Sequence, residues 1–345
     1  MKKLLIILSV SVLAISCKTN ELWLSVVEPA PVTLRPAIKK IGVIDRTLPT
    51  DQAKPLDVVD KVLTLEGANL DKDAAAESVK GLTEELMNNQ RFTEVKPVTN
   101  TAFRTVNTMD FPVPLSWEIV DRICSESGLD ALFSLEKFDT DTKISYATQK
   151  VDVIKTPLGN VPGIEHRADM ETVVKTGWRI YDPASRTMPD QFLYNESIVF
   201  HSKGLNPVLA AGGLINRKDA VKEVSNKAGH GYALRIIPFE TRVMRDYYVK
   251  GNDSFKMAMR KARTGNWDAA GEIWKKETGN PNMKIAGRAT YNMAIISEIN
   301  GDIKTALDYA RKSYEDYNIK LGMRYVNILE NRQYKNEVVD IQQQQ

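Results

Sequence analysis

The chain has 345 residues, a length that suggests two domains, and its 47 basic and 44 acidic side chains leave a formal net charge of +3. This near balance predicts no strongly basic face, which excludes nucleic acid as an expected partner. The chain has two cysteines, Cys17 and Cys124, and modification of Cys17, which is considered next, would leave too few for an internal disulfide. After residue 16 no apolar run reaches the roughly 20 residues that span a bilayer.

The first 16 residues have the layout of a secretory signal. Met1 precedes two lysines, an apolar or small run extends from Leu4 to Ser16, and Cys17 follows directly. The segment Leu13–Ser16 before the cysteine resembles a bacterial lipobox. This resemblance implies that residues 1–16 are a lipoprotein signal peptide and that Cys17 is acylated.

The expected lipid predicts a location in the cell envelope. Each buried methylene contributes about 0.8 kcal/mol, so several acyl chains make a durable anchor. No aspartate follows Cys17, since Lys18 and Thr19 occupy the next positions. By analogy with lipoprotein sorting, this favours the outer membrane, facing the periplasm, with the membrane contacted through lipid alone.

Residues 17–36 contain three prolines and predict a lipidated tether. Two interpretations of Leu22–Val27 within it remain open, an early strand or more tether. The elements expected next are a short buried strand, a helix, a strand broken at Pro97, a helix capped by Ser116 and another strand. They cover Ile41–Ile44, Asp71–Asn88, Phe92–Val98, Trp117–Gly128 and Ala131–Leu135.

The middle of the chain predicts more strands and a third helix. Further strands are expected at Lys143–Val153, before a loop around Pro157–Pro162, at Thr172–Tyr181, at Phe192–Phe200 and at Thr241–Val249. The stretch Gly204–Gly213 is either a loop or a short helix. A helix that begins near Arg217 or Lys218 either continues to Ile237 or breaks at Gly229. Gly229 and Gly231 would let another backbone approach closely.

Together these elements predict an α+β fold. Residues 37–250 are expected to form a mixed sheet with packed helices, and residues 253–341 an all-α array of helical hairpins. The domain boundary is placed at Gly251–Asp253.

A repeat supports the all-α assignment. Gly265 and Gly301 lie 36 residues apart, and each is followed by Asn or Asp, an apolar residue and, three residues further on, an alanine. This pattern resembles the tetratricopeptide repeat, whose period is about 34 residues. The residues expected at the turns and helix crossings are Gly265, Trp267, Ala270, Gly301 and Ala306. A third, degenerate copy is expected from Leu321, with its turn at Arg332–Tyr334.

The chain carries no recognisable catalytic motif. It has no nucleophile elbow, phosphate-binding loop or zinc-protease motif, and its three histidines, His166, His201 and His230, lie far apart in sequence. We therefore expect no enzyme activity, metal or cofactor. Cys124 lies on the apolar face of a helix and is interpreted as a small buried hydrophobe.

Two polar groups remain candidates for binding. Asp45 and Arg46 end the first predicted buried strand, where ligands of α/β sheets often bind, or they form a local ion pair. Arg235, Arg242 and Arg245 lie near two tyrosines and are expected to form a surface recognition patch.

Four motifs carry a family resemblance. They are the expected lipobox, Ile41–Asp45, Trp178–Pro183, and Tyr232–Pro238 leading to Arg245–Tyr248. In this combination the chain resembles an uncharacterised family of Bacteroidota lipoproteins with C-terminal tetratricopeptide helices. The N-terminal element order is also similar to the periplasmic domain of the curli-secretion lipoprotein, but the chain lacks the paired amphipathic strands of a pore.

The favoured function is a membrane-anchored protein-binding or assembly module, because stacked helix pairs present a groove for peptides or helices. The alternative is an envelope enzyme or small-ligand receptor that uses the N-terminal sheet, with Asp45, Arg46 and a histidine brought together in space.

Overall fold

The computed structural model describes residues 19–47, 67–99, 111–156 and 159–343, without the side chains of 67–69 and 151–163. The expected signal peptide and Cys17 lie outside these ranges. The chain forms two compact units. Among the described residues, the sheet unit comprises those between 29 and 239 together with 341–343, and the helical unit comprises 19–28 together with 240–340. Of the described helices, none has the length and apolar character that crossing a membrane requires.

The architecture is α+β, as expected. The strands are β1 (Thr19–Glu28), β2 (Lys40–Asp45), β3 (Glu94–Val98), β4 (Ala131–Thr156), β5 (Gly159–Asp182), β6 (Thr187–Gly204) and β7 (Phe239–Tyr248). The helices are α1 (Gly67–Asn88), α2 (Trp117–Ser127), α3 (Pro207–Gly212), α4 (Arg217–Ala233), α5 (Asp253–Arg263), α6 (Trp267–Glu277), α7 (Met283–Ile299), α8 (Ile303–Glu315) and α9 (Lys320–Gln343).

The sheet unit contains a five-stranded mixed sheet in the order β3-β2-β4-β5-β6. Strand β2 runs parallel to both β3 and β4, and β4, β5 and β6 form an antiparallel meander. Strand β3 continues through Pro97, where a break was expected. Because β3 lies at the sheet edge, the missing proline N–H removes no bond from a second ladder.

The long hairpin β4–β5 differs from the sequence prediction. Two separate strands were expected at Ala131–Leu135 and Lys143–Val153, but β4 runs unbroken over both. Strand β5 begins at Gly159, inside the expected loop, and its ladder has an irregularity between Val151 and Ile154, opposite Pro162. An irregular register is where a strand tolerates proline, so the hairpin extends further than local turn signals indicated.

Helices cover both faces of the sheet. Helices α1 and α4 cover one face, and the expected stripe of α1 (Ala75, Val79, Leu82 and Leu86) is buried there. Helix α2 covers the other face with Val120, Ile123 and Cys124. Gly128 ends α2 in the left-handed conformation, at φ 63°. The third predicted helix stops at Ala233, and Gly204–Gly213 contains the short helix α3.

The same turn between helices occurs at two places in the helical unit, 36 residues apart. Asn266 accepts a hydrogen bond from the Ala269 N–H at 3.2 Å, and Asp302 accepts one from the Thr305 N–H at 3.0 Å. Backbone bonds repeat at the same offset. Trp267 begins α6, while Ala270 and Ala306 are fully buried in the helical core. The predicted turn and packing residues therefore occupy equivalent places in two helical hairpins.

The compact units divide at Phe239/Glu240 rather than at Gly251–Asp253, because β7 is covered by helices of the helical unit. Its Tyr247 ring lies 5.3 Å from the ring of Trp267, and Asn292 of α7 bonds both the N–H and the C=O of Tyr248. Strand β1 pairs with β7, so residues 19–28 of the expected tether are a strand.

The expected third repeat is not formed, because α9 runs unbroken from Lys320 to Gln343. The segment Arg332–Tyr334, expected as a turn, lies within this helix. It lacks the glycine that both real turns place at positive φ. Without such a residue, a left-handed turn is strained and the helix continues.

Alanine at Gly301 is expected to destabilise the protein by about 1 kcal/mol. Gly301 has φ 79°, and a Cβ there would contact nothing within 4 Å, so the cost comes from left-handed backbone strain alone. Urea unfolding followed by circular dichroism measures it. Gly279→Ala, at a turn position without positive φ, is the matched control. Equal stability of the two variants would show that the turn imposes no such strain.

Candidate functional site

The helical unit contains a basic cavity of about 410 Å³. Strands β1 and β7 supply one wall and α9 the other, so we call it the α9 cavity. Four of its side chains are cationic, one is anionic, two are carboxamides and three are aliphatic. They are Val26, Glu28, Val243, Arg245, Arg324, Asn327, Ile328, Asn331, Arg332 and Lys335.

Arg245 is fixed by a buried carboxylate of α7. Its Nε donates to Glu298 Oε2 at 2.8 Å and its Nη2 donates to Oε1 at 2.7 Å, which makes a bidentate pair. Tyr325 of α9 also donates to this carboxylate. Burial opposes a charged guanidinium, but the Glu298 carboxylate outweighs it and raises the pKa of Arg245. Arg245 therefore stays charged, and the Glu298 carboxylate balances its charge.

Arg332 and Lys335 share the carboxylate of Glu28. Arg332 Nη1 lies 3.3 Å from Glu28 Oε1, and Lys335 Nζ lies 2.6 Å from Oε2. Arg332 Nη2 also donates to the carbonyl of Val27 at 2.6 Å. Burial lowers the pKa of Arg332, although a guanidinium remains charged at neutral pH. These contacts fix α9 against β1.

Three other polar side chains of the cavity lack such ion pairs and hydrogen bonds among the described residues. Among the described residues, no carboxylate pairs with Arg324, and neither Asn327 nor Asn331 makes a side-chain hydrogen bond. All three side chains are exposed. They lie at positions i, i+3 and i+7, which is one face of α9 extending over about 10 Å.

This arrangement suits an anionic, hydrogen-bonding ligand. Four cations line the cavity, while Glu28 and Glu298 provide two carboxylates, so a surplus of two positive charges remains. A guanidinium binds carboxylate or phosphate in bidentate fashion. A carboxamide both donates and accepts, which matches the N–H and C=O groups of an extended peptide.

The three arginines of the predicted patch have different surroundings. Arg235 is bound to Asp190, with 2.9 Å between Nη2 and Oδ1, and Arg245 is bound to Glu298. Side chains alternate along β7, so Arg242 points away from Arg245 and is exposed. Of the three arginines, only Arg245 lines the α9 cavity.

Both sheet residues proposed for a site have partners in the sheet unit. Arg46 is buried and donates to Glu136 Oε2, and Asp45 Oδ1 accepts from the Thr47 N–H at 2.8 Å. Asp45 lines a second cavity, of about 330 Å³, in the sheet unit. Glu84 lines the same cavity, and its Oε2 lies 3.6 Å from Nε2 of His230. In the described part of the chain no group of His, Cys, Asp and Glu is arranged to hold a metal.

Cys124 is buried, as expected. Burial, with smaller contributions from nearby aspartates, raises the pKa of its thiol to about 11. A thiol with this pKa is a poor nucleophile at neutral pH.

The α9 cavity was not predicted from the sequence. The spacing of Arg324, Asn327 and Asn331 was a detectable signal, because it places three polar side chains on one helix face. The expected turn at Arg332–Tyr334 would have separated Arg332 and Lys335 from these three residues, which lie on the same helix in the structure. The opposing wall comes from β1, roughly 300 residues earlier in the chain, and no local pattern identifies such a partner.

Removing the Asp182 carboxylate is expected to weaken the acid sensitivity of the sheet unit. Arg35 Nη2 and Ser185 Oγ both donate to it at 2.7 Å. Burial alone would raise the pKa of Asp182, but these donors outweigh burial and lower it to about 2. The unfolded pKa is about 3.9. The resulting stability is therefore present above about pH 4 and is lost as pH falls through 2.

Asp182→Asn should be less stable at pH 7 and should lose less stability than the parent between pH 5 and pH 2. Because Arg35 is partly exposed and screened by solvent, we expect a difference of about 1–2 kcal/mol. Urea unfolding at pH 7, 4 and 2.5 measures it. Asp139→Asn, at an exposed site, is the control at pH 7. Parallel pH profiles for Asp182→Asn and the parent would contradict the assignment.

Comparisons with known proteins find low similarity to solved structures. PelC of Paraburkholderia phytofirmans, solved as a dodecamer, is 9% identical, with 61% of this chain and 96% of that chain covered and a TM-score of 0.22. The hypothetical protein CT253 of Chlamydia trachomatis is 8% identical, with 46% and 71% covered and a TM-score of 0.21. Scores this low do not establish a shared fold.

The search of curated proteins finds no match. Two family models match the chain. One, described as a domain of unknown function (DUF6340), matches residues 256–337 in the helical unit. The other, described as a domain of unknown function (DUF8603), matches residues 38–248, which is more than half of the chain. The chain therefore belongs to the DUF8603 family.

Proposed function

We propose that this protein is a lipid-anchored binding module of the bacterial cell envelope, whose helical unit captures an acidic, extended segment of a partner protein. The observation that carries the proposal is the row of Arg324, Asn327 and Asn331 in the α9 cavity, none of which is engaged by a described side chain. No catalytic role is proposed.

Charge favours an acidic partner. The cavity retains two positive charges after its own carboxylates are counted, and Arg324 is the exposed cation among them. A carboxylate bound there would gain a charge-assisted bidentate contact. Arg245 and Arg332 are held in place by Glu298 and Glu28, so the surrounding field requires no rearrangement when a ligand arrives.

Length favours an extended peptide. The row of polar groups extends about 10 Å along α9, and an extended chain advances about 3.3 Å per residue, so the row matches roughly three residues. The two carboxamides would bond peptide groups, while Arg324 binds an acidic side chain or a C-terminal carboxylate. The aliphatic side chains of Val26, Val243 and Ile328 supply apolar contact.

The proposal includes a tetratricopeptide-like helical unit and a lipid anchor. The repeated turn at Gly265 and Gly301 supports a tetratricopeptide-like array, a class of protein that binds peptides and partner helices. The lipobox resemblance at Cys17 supports a bacterial lipoprotein on the outer membrane, facing the periplasm, in the Bacteroidota family suggested by the sequence motifs.

Binding of a fluorescein-labelled penta-aspartate peptide tests the proposal. Fluorescence anisotropy with the purified mature chain should show binding, and Arg324→Glu should weaken it about tenfold or more, since a hydrogen bond to a charged group contributes about 1.5–3 kcal/mol. Asn331→Ala should weaken it less. Arg242→Glu, which reverses an exposed charge on the other face of β7, is the matched control.

Two outcomes would reject the acidic-segment proposal. One is an equal loss of affinity in Arg324→Glu and Arg242→Glu, which would indicate nonspecific attraction. The other is equal binding of penta-lysine. The anchor is tested separately, because the cavity does not depend on it. Cells grown with labelled palmitate should label the parent chain and not Cys17→Ser.

A small-ligand receptor is the second candidate function. The cavity in the sheet unit favours it, because five apolar or proline residues and five polar residues line it, so a small ligand would find both apolar contact and hydrogen-bonding groups there. The candidate polar groups are Asp45, Lys80 and Glu84. A thermal-shift screen of small amphipathic molecules in which none raises Tm would remove this candidate.

A further inference from the structure

In the part of the chain that the structure describes, the outer edge of β4 has no partner strand over much of its length. Strand β2 pairs with β4 only from Ala131 to Leu135, whereas β5 continues along the other edge. From Lys143 to Lys150 every side chain is exposed, on both faces of the strand. Among the described residues, no other strand pairs with this segment. Its outward backbone N–H and C=O groups are therefore available to a strand from another chain.

The sequence of this edge does not protect it. Proteins usually guard open edges with charge, proline or bulges. The segment Ile144–Gln149 contains no charged residue and no proline, and the irregularity at Leu135/Lys137 lies well before it. Ile144 and Tyr146 share one face and are 48% and 59% exposed.

We propose that this edge pairs antiparallel with the same edge of a second copy of the chain, with the two-fold axis at Ser145. In this register Ile144 lies opposite Tyr146 of the other copy, and Thr142 lies opposite Thr148. An aromatic residue opposite a β-branched residue, and threonine opposite threonine, are favourable cross-strand pairs. Each pair occurs twice, because the contact is symmetric.

Charge is compatible with the register. Lys143 lies opposite Ala147, and Asp141 lies opposite Gln149, so no like charges are opposed. A two-fold contact uses the same edge of both copies and closes on itself, which yields a dimer rather than a filament.

The other open edge of the sheet, β6, fits self-pairing less well. Its exposed apolar residues on one face are Leu193 and Val199. The antiparallel register that places these two opposite each other also places Glu196 opposite its own copy. Two carboxylates directly across a strand pair repel each other. We therefore expect the second copy to pair with the edge of β4 and not with that of β6.

Cysteine crosslinking tests the register. In the mature chain carrying Cys17→Ser, the remaining native thiol is the buried Cys124. Residue 145 faces itself across the axis at about 4.5–5.5 Å between Cα atoms, within the range of a disulfide. Ser145→Cys should therefore form a disulfide-linked dimer under mild oxidation. Residue 147 lies about 14 Å from its own copy, so Ala147→Cys should form no disulfide across the contact, and adding Lys143→Cys to it should produce the disulfide-linked dimer.

Light scattering tests the association without engineered thiols. The mature chain should have twice the mass of one chain, and Tyr146→Asp should reduce it to one. Val199→Asp, which places the same charge at an exposed apolar position on β6, should remain dimeric. A monomeric parent chain, a dimeric Tyr146→Asp variant, or equal crosslinking of Ser145→Cys and Ala147→Cys would each overturn the proposal.

Discussion

Alanine at Gly229 is expected to destabilise the sheet unit by about 3 kcal/mol. Helices α1 and α4 touch backbone to backbone here. A Cβ at Gly229 would lie 2.0 Å from the carbonyl oxygen of Ser78 and 2.7 Å from the Leu82 nitrogen. Gly81 makes the reciprocal approach, since a Cβ there would lie 2.1 Å from the carbonyl oxygen of Asn226. Main-chain atoms cannot rotate away as a flexible side chain can.

The helices must therefore separate, and the buried stripe between them loses contacts. Overpacking costs about 1–3 kcal/mol when side chains give way, and somewhat more is expected where backbone must move. The crossing is also bonded, because Ser78 Oγ donates to the carbonyl of Ser225 at 2.8 Å. Separation would lengthen this bond as well.

Urea unfolding of Gly229→Ala measures the effect. Gly212→Ala is the matched control, since a Cβ at Gly212 would contact nothing within 4 Å. The double variant Gly81→Ala with Gly229→Ala should cost less than the two single costs combined, because the first substitution already separates the helices. Equal stability of Gly229→Ala and Gly212→Ala would contradict a backbone contact at this crossing.

This crossing was only half predictable. The sequence indicated that Gly229 would let a backbone approach, because a glycine inside an otherwise helical pattern has few other uses. It did not identify the partner helix. Gly81 lies between two buried positions of α1, Val79 and Leu82. From the sequence alone it would be interpreted only as a glycine that lowers the helix propensity of α1. Close approach is a property of two helices, and the sequence of one helix does not reveal it.

Local signals were sufficient for the turns of the helical unit. Gly265 and Gly301 take positive φ, and the residue after each caps the next helix, so three or four adjacent residues determine each turn. Such geometry depends on no distant contact. The same locality explains why the helix starts at Trp117 and Arg217 were predicted accurately.

Nonlocal pairing explains what was not predicted. The exposed half of β4 is polar on one face and mixed on the other, so its sequence alone resembles a loop or a short separate strand. It is a strand because β5 pairs with it almost continuously from Leu132 to Thr156. The α9 cavity could not be predicted for the same reason, since its two walls meet only in the folded helical unit.

Replacing Glu136 by glutamine is expected to cost about 3–5 kcal/mol, because it removes the carboxylate from a buried group of charges. Arg46 donates to Glu136 Oε2, Tyr181 donates to Oε1 at 3.0 Å, and Arg179 Nη1 lies 3.8 Å from Oε2. The side chains of Arg46 and Arg179 are 5% and 4% exposed. Water therefore cannot replace the lost negative charge, and two guanidiniums would be left close to a neutral amide.

The control for this prediction is an exposed ion pair. Glu94→Gln removes the partner of Lys96, and both side chains are more than one-third exposed, so solvent screens the lost contact and its cost should be far smaller than that of Glu136→Gln. A double-mutant cycle then isolates the buried contact. Arg46→Met should cost much less in the Glu136→Gln background than in the parent chain, because in that background the buried guanidinium has already lost the Glu136 carboxylate. If the two backgrounds give the same cost, or if Glu136→Gln is as mild as Glu94→Gln, then Glu136 does not hold Arg46 by charge.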